Sequence, residues 1–437
     1  MVDLSNRLPT DLTPSPFFCE LETAKTLAMK CSDFIDLTVS SPLKVGCSPD
    51  LNEAVEKSSV MFGTWTPDAQ GALETRRAVA QYYKERGADF SEGQIILTAS
   101  TSEAYSILFK TFCNQGDAIM TPLPGYPLLD TLAQLENLEC CPYFLKLVRE
   151  KKKIKNVSKN EFHFALDTDS LLTAPENAKI LLVVSPHNPT GHVIDRLEWN
   201  QIVRFCEEHH LVLVVDEVFG DYGFSDDVLR SWQYGNYRCD EVEERSDDVT
   251  GEVKCPIFWL NGLSKTVGSP QLKLGWMVFY APKDGFEQIR AALEFVEDAY
   301  LSVSSTAQAL AIPLLESSLK YQERVKDCVR KNWNLLKSRF ASKFCPEVKG
   351  GWYAAIRLAD DDEKMVLKLL SEKHVLLQPG FFFDFDEDGW VVVSLLQHPE
   401  VFASAINRIC DVVCGEANHN ALEDYSNNSV RADLTNN

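Results

Sequence analysis

Apolar residues along this chain fall into short, nearly unbroken runs, and the stretches between them repeat with helical spacing. The runs are QIILTAS (94–100), DAIMTPLPGYP (117–127), KILLVVSPHNPTG (179–191), LVLVVDEVF (211–219), PIFWLNGLSK (256–265) and LGWMVFYA (274–281). Each begins with the length and composition of a strand. None alternates apolar and polar residues, so each predicts a strand buried on both faces. Helical patterns lie between them, as at Asp68–Arg86, stopped by Gly87, and in EWNQIVRFCEEHH (198–210). Strands alternating with helices predict an α/β fold, with a mainly parallel sheet covered by helices on both faces.

The pattern changes after about Gly285. Helical stretches run from 286 to about 343, and short strands follow in GGWYAAIRL (350–358), HVLLQPG (374–380) and WVVVSLL (390–396). This predicts a smaller α+β domain. The first fifty residues carry prolines at 9, 14, 16, 42 and 49 and read as an arm with a short helix near Glu20–Lys30. The expected division is 1–48 as arm and part of the small domain, 49–285 as the large domain and 286–414 as the small one. Residues 415–437 are polar and aperiodic, and read as a disordered tail. A basic run at 150–161 reads as a solvated hairpin or loop, and the acidic, polar stretch 226–253 as an insert.

Composition narrows the partners. The length of 437 residues exceeds what one core usually supports. The net charge of −21 disfavours nucleic acid and anionic membranes. Thirteen cysteines, an odd number without metal-binding spacing, read as reduced thiols in a reducing, cytoplasmic setting. No secretory signal and no membrane-spanning run is visible.

Ligands of an open parallel sheet bind beyond the carboxyl ends of its strands. The polar residues there are Ser100, Thr101, Ser102, Tyr126, Asn188, Asp216 and Lys265. Ser100–Ser102 open a helix, where unpaired N–H groups favour an anion, although a plain N-cap reads the same way. Asp216 suits a metal, a base, or a partner for a protonated ring nitrogen. Asn188 sits in the turn-forming HNPTG. Tyr126 is a core aromatic or a stacking platform. Lys265 either snorkels to solvent or is a desolvated nucleophile toward aldehydes. Taken together, a phosphate cradle, a stacking ring, an acid, an amide and an amine describe one ligand, pyridoxal 5′-phosphate.

The chain resembles the class I/II, fold-type-I aminotransferases that depend on this cofactor, from about Asp33 to Val413. The carriers are WTPDAQGALETRRAVA, LTASTSEA, PLPGYP, SPHNPTG, VVDEVF and LSKTVGSPQLKLGW, the last with Lys265, Gly268, Lys273 and Gly275 at the family's spacing. The resemblance implies a seven-stranded-type central sheet and a homodimer. It implies ping-pong transfer of an amino group between an amino acid and a 2-oxo acid. Lys265 would be the Schiff-base lysine and proton shuttle, and Asp216 the partner of the pyridine nitrogen. Asn188 would bind the ring oxygen and Tyr126 stack on the ring. Ser100, Thr101, Ser102, Ser264 and Lys273 would hold the phosphate. A lyase or decarboxylase using the same cofactor, or a non-catalytic binder of it, remains an alternative.

Four positions depart from the family. Lys273 replaces an arginine and so loses a two-pronged fork. Phe219 replaces a tyrosine, with Tyr222 as a nearby substitute. Trp65 stands where many members have a tyrosine. The late arginine that clamps the substrate carboxylate is absent, its place falling at about Val392, with Arg357, Gln397 and His398 as candidate neighbours.

Overall fold

The apolar runs pair into strands because their side chains serve two cores at once. The computed structural model describes residues 5–9, 11–58, 67–154, 157–225, 227–235, 237, 253–358 and 361–416. Within these, the strands are β1 (Ile35–Asp36), β2 (Ile95–Thr98), β3 (Ala118–Leu123), β4 (Glu139–Ile154) and β5 (Val157–Leu166). There follow β6 (Ala178–Val184), β7 (Val212–Asp216), β8 (Ile257–Gly262), β9 (Gly275–Tyr280) and β10 (Tyr353–Arg357). The last are β11 (Val375–Leu376), β12 (Gln378–Pro379) and β13 (Trp390–Ser394). Eight form one sheet in the order β2-β9-β8-β7-β6-β3-β4-β5.

Neighbours from β8 through β4 run parallel. Strand β9 is antiparallel to both of its neighbours, so β2 and β8 end at the same edge. The expected seven-strand layer is β2 to β4. The eighth strand, β5, is the return arm of a long antiparallel hairpin with β4, and the basic run lies along it.

Successive residues of the central strands face opposite cores. Leu181, Val183, Leu213, Val215 and Trp259 belong to one cluster, with the helices Leu73–Lys84, Arg196–His209 and Ser305–Glu316. Ile180, Leu182, Val214, Phe258 and Leu260 belong to the other, with Thr101–Phe112, Leu128–Leu135 and Lys283–Asp298. Neither face is wet, which is why the runs show no polar alternation. Each buried aliphatic side chain stabilises the fold by about 1.5–3 kcal/mol.

The small unit has its own core around Val325, Val366, Leu369, Val391 and Phe402. Its sheet is antiparallel, in the order β10-β13-β12. The N-terminal segment joins it: β1 pairs with β11, and the Ser394 N–H donates to the Leu37 carbonyl at 2.7 Å. Residues 286–343 resolve into the helices Lys283–Asp298, Ser305–Glu316 and Ser318–Arg339. Cys140 and Cys141 are not bridged. Among the described residues no helix is long and apolar enough to cross a membrane. Trp65, most of the acidic insert and residues 417–437 of the tail lie outside the described residues.

Candidate active site

Strands β6, β7 and β8 are parallel neighbours, so the residues that follow them share one edge. Asp216 ends β7. Asn188 lies four residues beyond β6, and Lys265 sits on the short helix Leu263–Thr266 that follows β8. Ser100 follows β2 at the same edge and caps the helix Thr101–Phe112 by accepting the Glu103 N–H at 3.1 Å. Glycine makes that approach possible. A Cβ on Gly275 would meet the Ser100 carbonyl carbon at 3.0 Å, the Thr101 nitrogen at 3.1 Å and the Asn261 oxygen at 3.2 Å. The helix start is thereby held tight against β9.

Burial pushes the Lys265 amine down from 10.5 to about 8, against the attraction of the Asp216 carboxylate. Its Nζ donates to the Ser40 carbonyl at 2.9 Å. It lies 5.0 Å from the Trp352 ring centre and 5.5 Å from that of Phe219, and these two rings meet edge to face. The amine therefore has an aromatic wall and a single hydrogen bond to give up.

Burial raises the Asp216 carboxyl. The Tyr105 hydroxyl, the Val218 N–H and Lys265 oppose this and favour its anion. Tyr105 Oη donates to Oδ2 at 2.6 Å, and the Val218 N–H to Oδ1 at 3.0 Å. Asn188 is buried, and its Oδ1 has no hydrogen-bond partner. Tyr126 is 47% exposed on the turn after β3. Its hydroxyl is raised, first by burial and then by the negative charge of Asp216. Ser264 is partly buried beside Lys265, while Thr101 and Ser102 begin the helix. Lys273 is exposed, in the left-handed region at φ +50°.

Tyr222 does not substitute for the tyrosine missing at Phe219. Its hydroxyl is fully buried and donates to the Lys265 carbonyl at 2.6 Å, so it braces the lysine's backbone. Of the candidate neighbours of the absent arginine, Arg357 and Gln397 have other partners, and His398 is exposed. Val392 is fully buried in β13, opposite Ala355 and Gln378. Arg357 is paired with Glu387. Gln397 donates to the Asp36 carbonyl and accepts the His398 N–H.

Three contributors were not legible as site residues: Tyr105, Ser40 and Trp352. Tyr105 reads as core on an apolar helix face. Ser40 acts through its backbone carbonyl, which no side-chain motif marks. Trp352 follows Gly350 and Gly351, and a Cβ on Gly350 would come within 3.0 Å of Pro186 and of the Tyr222 carbonyl. That glycine pair was the available signal.

The donor set fits pyridoxal phosphate. The buried Asn188 side-chain amide (a donor through its N–H groups), an acid and an amine of opposed charge lie on one edge, and a helix opens beside them.

The model of the family "aminotransferase class I and II" matches residues 33–409. Tyrosine aminotransferase of Caenorhabditis elegans is 24% identical over 411 residues, covering 91% of this chain and 82% of that protein. The glutamate-pyruvate aminotransferase AlaA of Escherichia coli K12 is 24% identical over 392 residues, 86% of this chain and 89% of that one. Among solved structures, alanine aminotransferase from Pyrococcus furiosus superposes with a TM-score of 0.77 at 20% identity, covering 94% of this chain and 100% of that one. The fold is thus that of the aminotransferases, and the protein belongs to the class I and II aminotransferase family.

Proposed function

We propose that this protein uses pyridoxal 5′-phosphate to move an amino group between an amino acid and a 2-oxo acid, in two half-reactions at one site. The observation that carries the reading is the Lys265 amine, held near neutrality by burial beside Asp216 at the edge where β6, β7 and β8 end. When bound, the cofactor supplies an electron-withdrawing ring that stabilises negative charge at the substrate Cα.

The chain's own residues do the rest. Lys265, whose amine titrates near 8, would hold the cofactor through its aldehyde carbon and would take and return the proton at the substrate Cα. Asp216 would keep the ring nitrogen protonated, and Tyr105 fixes the carboxylate that would do so. The Asn188 side-chain N–H would donate to the ring oxygen, and Tyr126 would stack on the ring. Ser100, Thr101, Ser102 and Ser264 would hold the phosphate with the helix start, joined by Lys273 as a point charge. Trp352 and Phe219 screen the amine from water.

The working unit is a homodimer in the cytoplasm. It has a large domain at 49–285 and a small one at 286–414, to which residues 1–48 contribute. A cavity of about 290 Å³ between residues 67–75 and 297–312, whose lining residue Leu301 follows the exposed Tyr300, would be the face a second copy covers.

A second reading, elimination or decarboxylation with the same cofactor, is favoured by one observation: apolar Val392 stands where a carboxylate clamp belongs, and Arg357 and Gln397 are engaged elsewhere. One titration separates the two. The cofactor-loaded protein is mixed with single amino acids, and the cofactor absorbance is followed. Bleaching that a 2-oxo acid reverses supports amino-group transfer. Turnover without any oxo acid supports the second reading. No absorbance change with any amino acid or amine overturns both.

A further inference from the structure

The small unit holds a line of reactive side chains that the proposed chemistry does not use. Cys31 Sγ lies 3.4 Å from His374 Nε2, and His374 Nδ1 lies 2.8 Å from Asp33 Oδ1. Arg408 steadies the far end. Its Nη1 is 3.3 Å from Asp33 Oδ2 and donates to the backbone carbonyls of Asp33 at 2.7 Å and Lys373 at 3.0 Å. Thiol, imidazole and carboxylate stand in series, the order of a nucleophile, its base and the group that orients the base.

The three are placed by separate elements. His374 closes the helix Asp362–Lys373 in the left-handed region at φ +55°, and its carbonyl accepts the Ile35 N–H at 2.8 Å. Cys31 lies in the turn after the helix Pro16–Ala28, its N–H donating to the Ala28 carbonyl at 2.9 Å. The Asp33 carboxyl is held below its ordinary range, first by its hydrogen bond with His374. An ionised Asp33 keeps the ring proton on Nδ1 and leaves Nε2 to accept one from sulfur. Cys31 and His374 are both partly exposed, so a small reagent reaches the sulfur.

We propose that Cys31 is an activated thiol, a covalent modification site for low-molecular-weight disulfides. In the exchange the Cys31 S–H proton passes to His374 Nε2, and the sulfur attacks one sulfur of the disulfide. A new S–S bond forms as the old one breaks. The departing thiolate takes the proton from His374, so Cys31 is oxidised and one half of the disulfide is reduced to a thiol.

Cys19 is the internal reference, because it is exposed and its Sγ meets the Pro14 carbonyl, at 4.0 Å, rather than a base. The full-length protein is treated with limiting glutathione disulfide, and each cysteine's modification is timed by peptide mass spectrometry. Cys31 is expected to react about tenfold faster than Cys19. His374→Asn keeps a side chain that tolerates the left-handed backbone and should bring Cys31 down to the Cys19 rate. Asp33→Asn should give an intermediate rate, and it serves alone if the first variant does not fold. The proposal is overturned if Cys31 reacts no faster than Cys19, or if neither variant slows it. Stoichiometric zinc in the purified protein that shields Cys31 also overturns it, because the three side chains are then metal ligands.

Discussion

At the scale of single residues, the site rests on what burial does to Lys265. Its amine titrates near 8 in the fold and at the ordinary 10.5 when exposed. The neutral amine is the nucleophile, so the rate at which the apo protein captures pyridoxal phosphate should climb as pH rises through about 8 and level off above it. Stopped-flow absorbance measures this, and a midpoint near 10 would show that the amine is not desolvated. Stability should follow the same group. Between about 8 and 10.5 the unfolded chain holds a proton that the fold has lost, so the lysine's penalty fades as pH rises through that window. Lys265→Met should abolish capture, and should stabilise the apo protein at pH 7 by roughly 1–3 kcal/mol. Lys265, Asp216 and Asn188 were legible because each ends or closely follows an apolar run. Tyr105 and Ser40 were not, because one looks like core and the other works through its backbone. The part Tyr222 plays, bracing the Lys265 carbonyl, needed the fold to be seen.

At the scale of elements, two contacts of the helix Thr101–Phe112 carry predictions. Its start leans on Gly275, where a methyl group would meet backbone atoms that have little room to give. Gly275→Ala should move the helix start and raise the dissociation constant for pyridoxal phosphate about tenfold, a loss of about 1.4 kcal/mol. Equilibrium dialysis reads this, and an unchanged constant would mean that the helix start does not hold the cofactor. The second contact is Glu297, on the helix Lys283–Asp298. It is 2% exposed and its Oε1 has no partner. Burial raises its carboxyl from 4.5 to about 8, helped by the charge of Glu103. The fold keeps a proton there that the unfolded chain releases above 4.5. Glu297 should therefore make the protein less stable as pH rises from about 4.5 to 8, by about 1.4 kcal/mol per unit. Glu297→Gln should remove that slope and be the more stable protein at pH 8, by urea unfolding at each pH. Elements were read from the same physics with unequal success. The central strands were legible because both their faces are dry. For the basic run at 150–161 hairpin and loop were both open, because its lysines set no apolar period; it forms the outer part of the β4–β5 hairpin.

At the scale of the whole molecule, one chain leaves apolar side chains uncovered. Phe295 is 82% exposed and Tyr300 57%, on the helix end and turn that run into Leu301 and Val303, which line a cavity with Gly71, Ala72 and Ile312. A second copy over this face removes apolar surface from water and closes the side of the molecule next to the helix start that faces the cofactor. Charge works the other way, because each chain carries −21. Added salt screens that repulsion and strengthens apolar association, so the dimer should tighten between low and moderate ionic strength. Sedimentation of the wild-type protein should give a dimer, and Phe295→Glu should shift it toward monomer, most clearly at low salt. If the proposed pair completes the site, the same variant should lose amino-group transfer in step with the loss of dimer, and regain part of it when salt or protein concentration restores the dimer. A wild-type monomer with full turnover would remove the homodimer from this reading and leave each site to its own chain. A Phe295→Glu dimer as tight as the wild type would instead place the contact on another face.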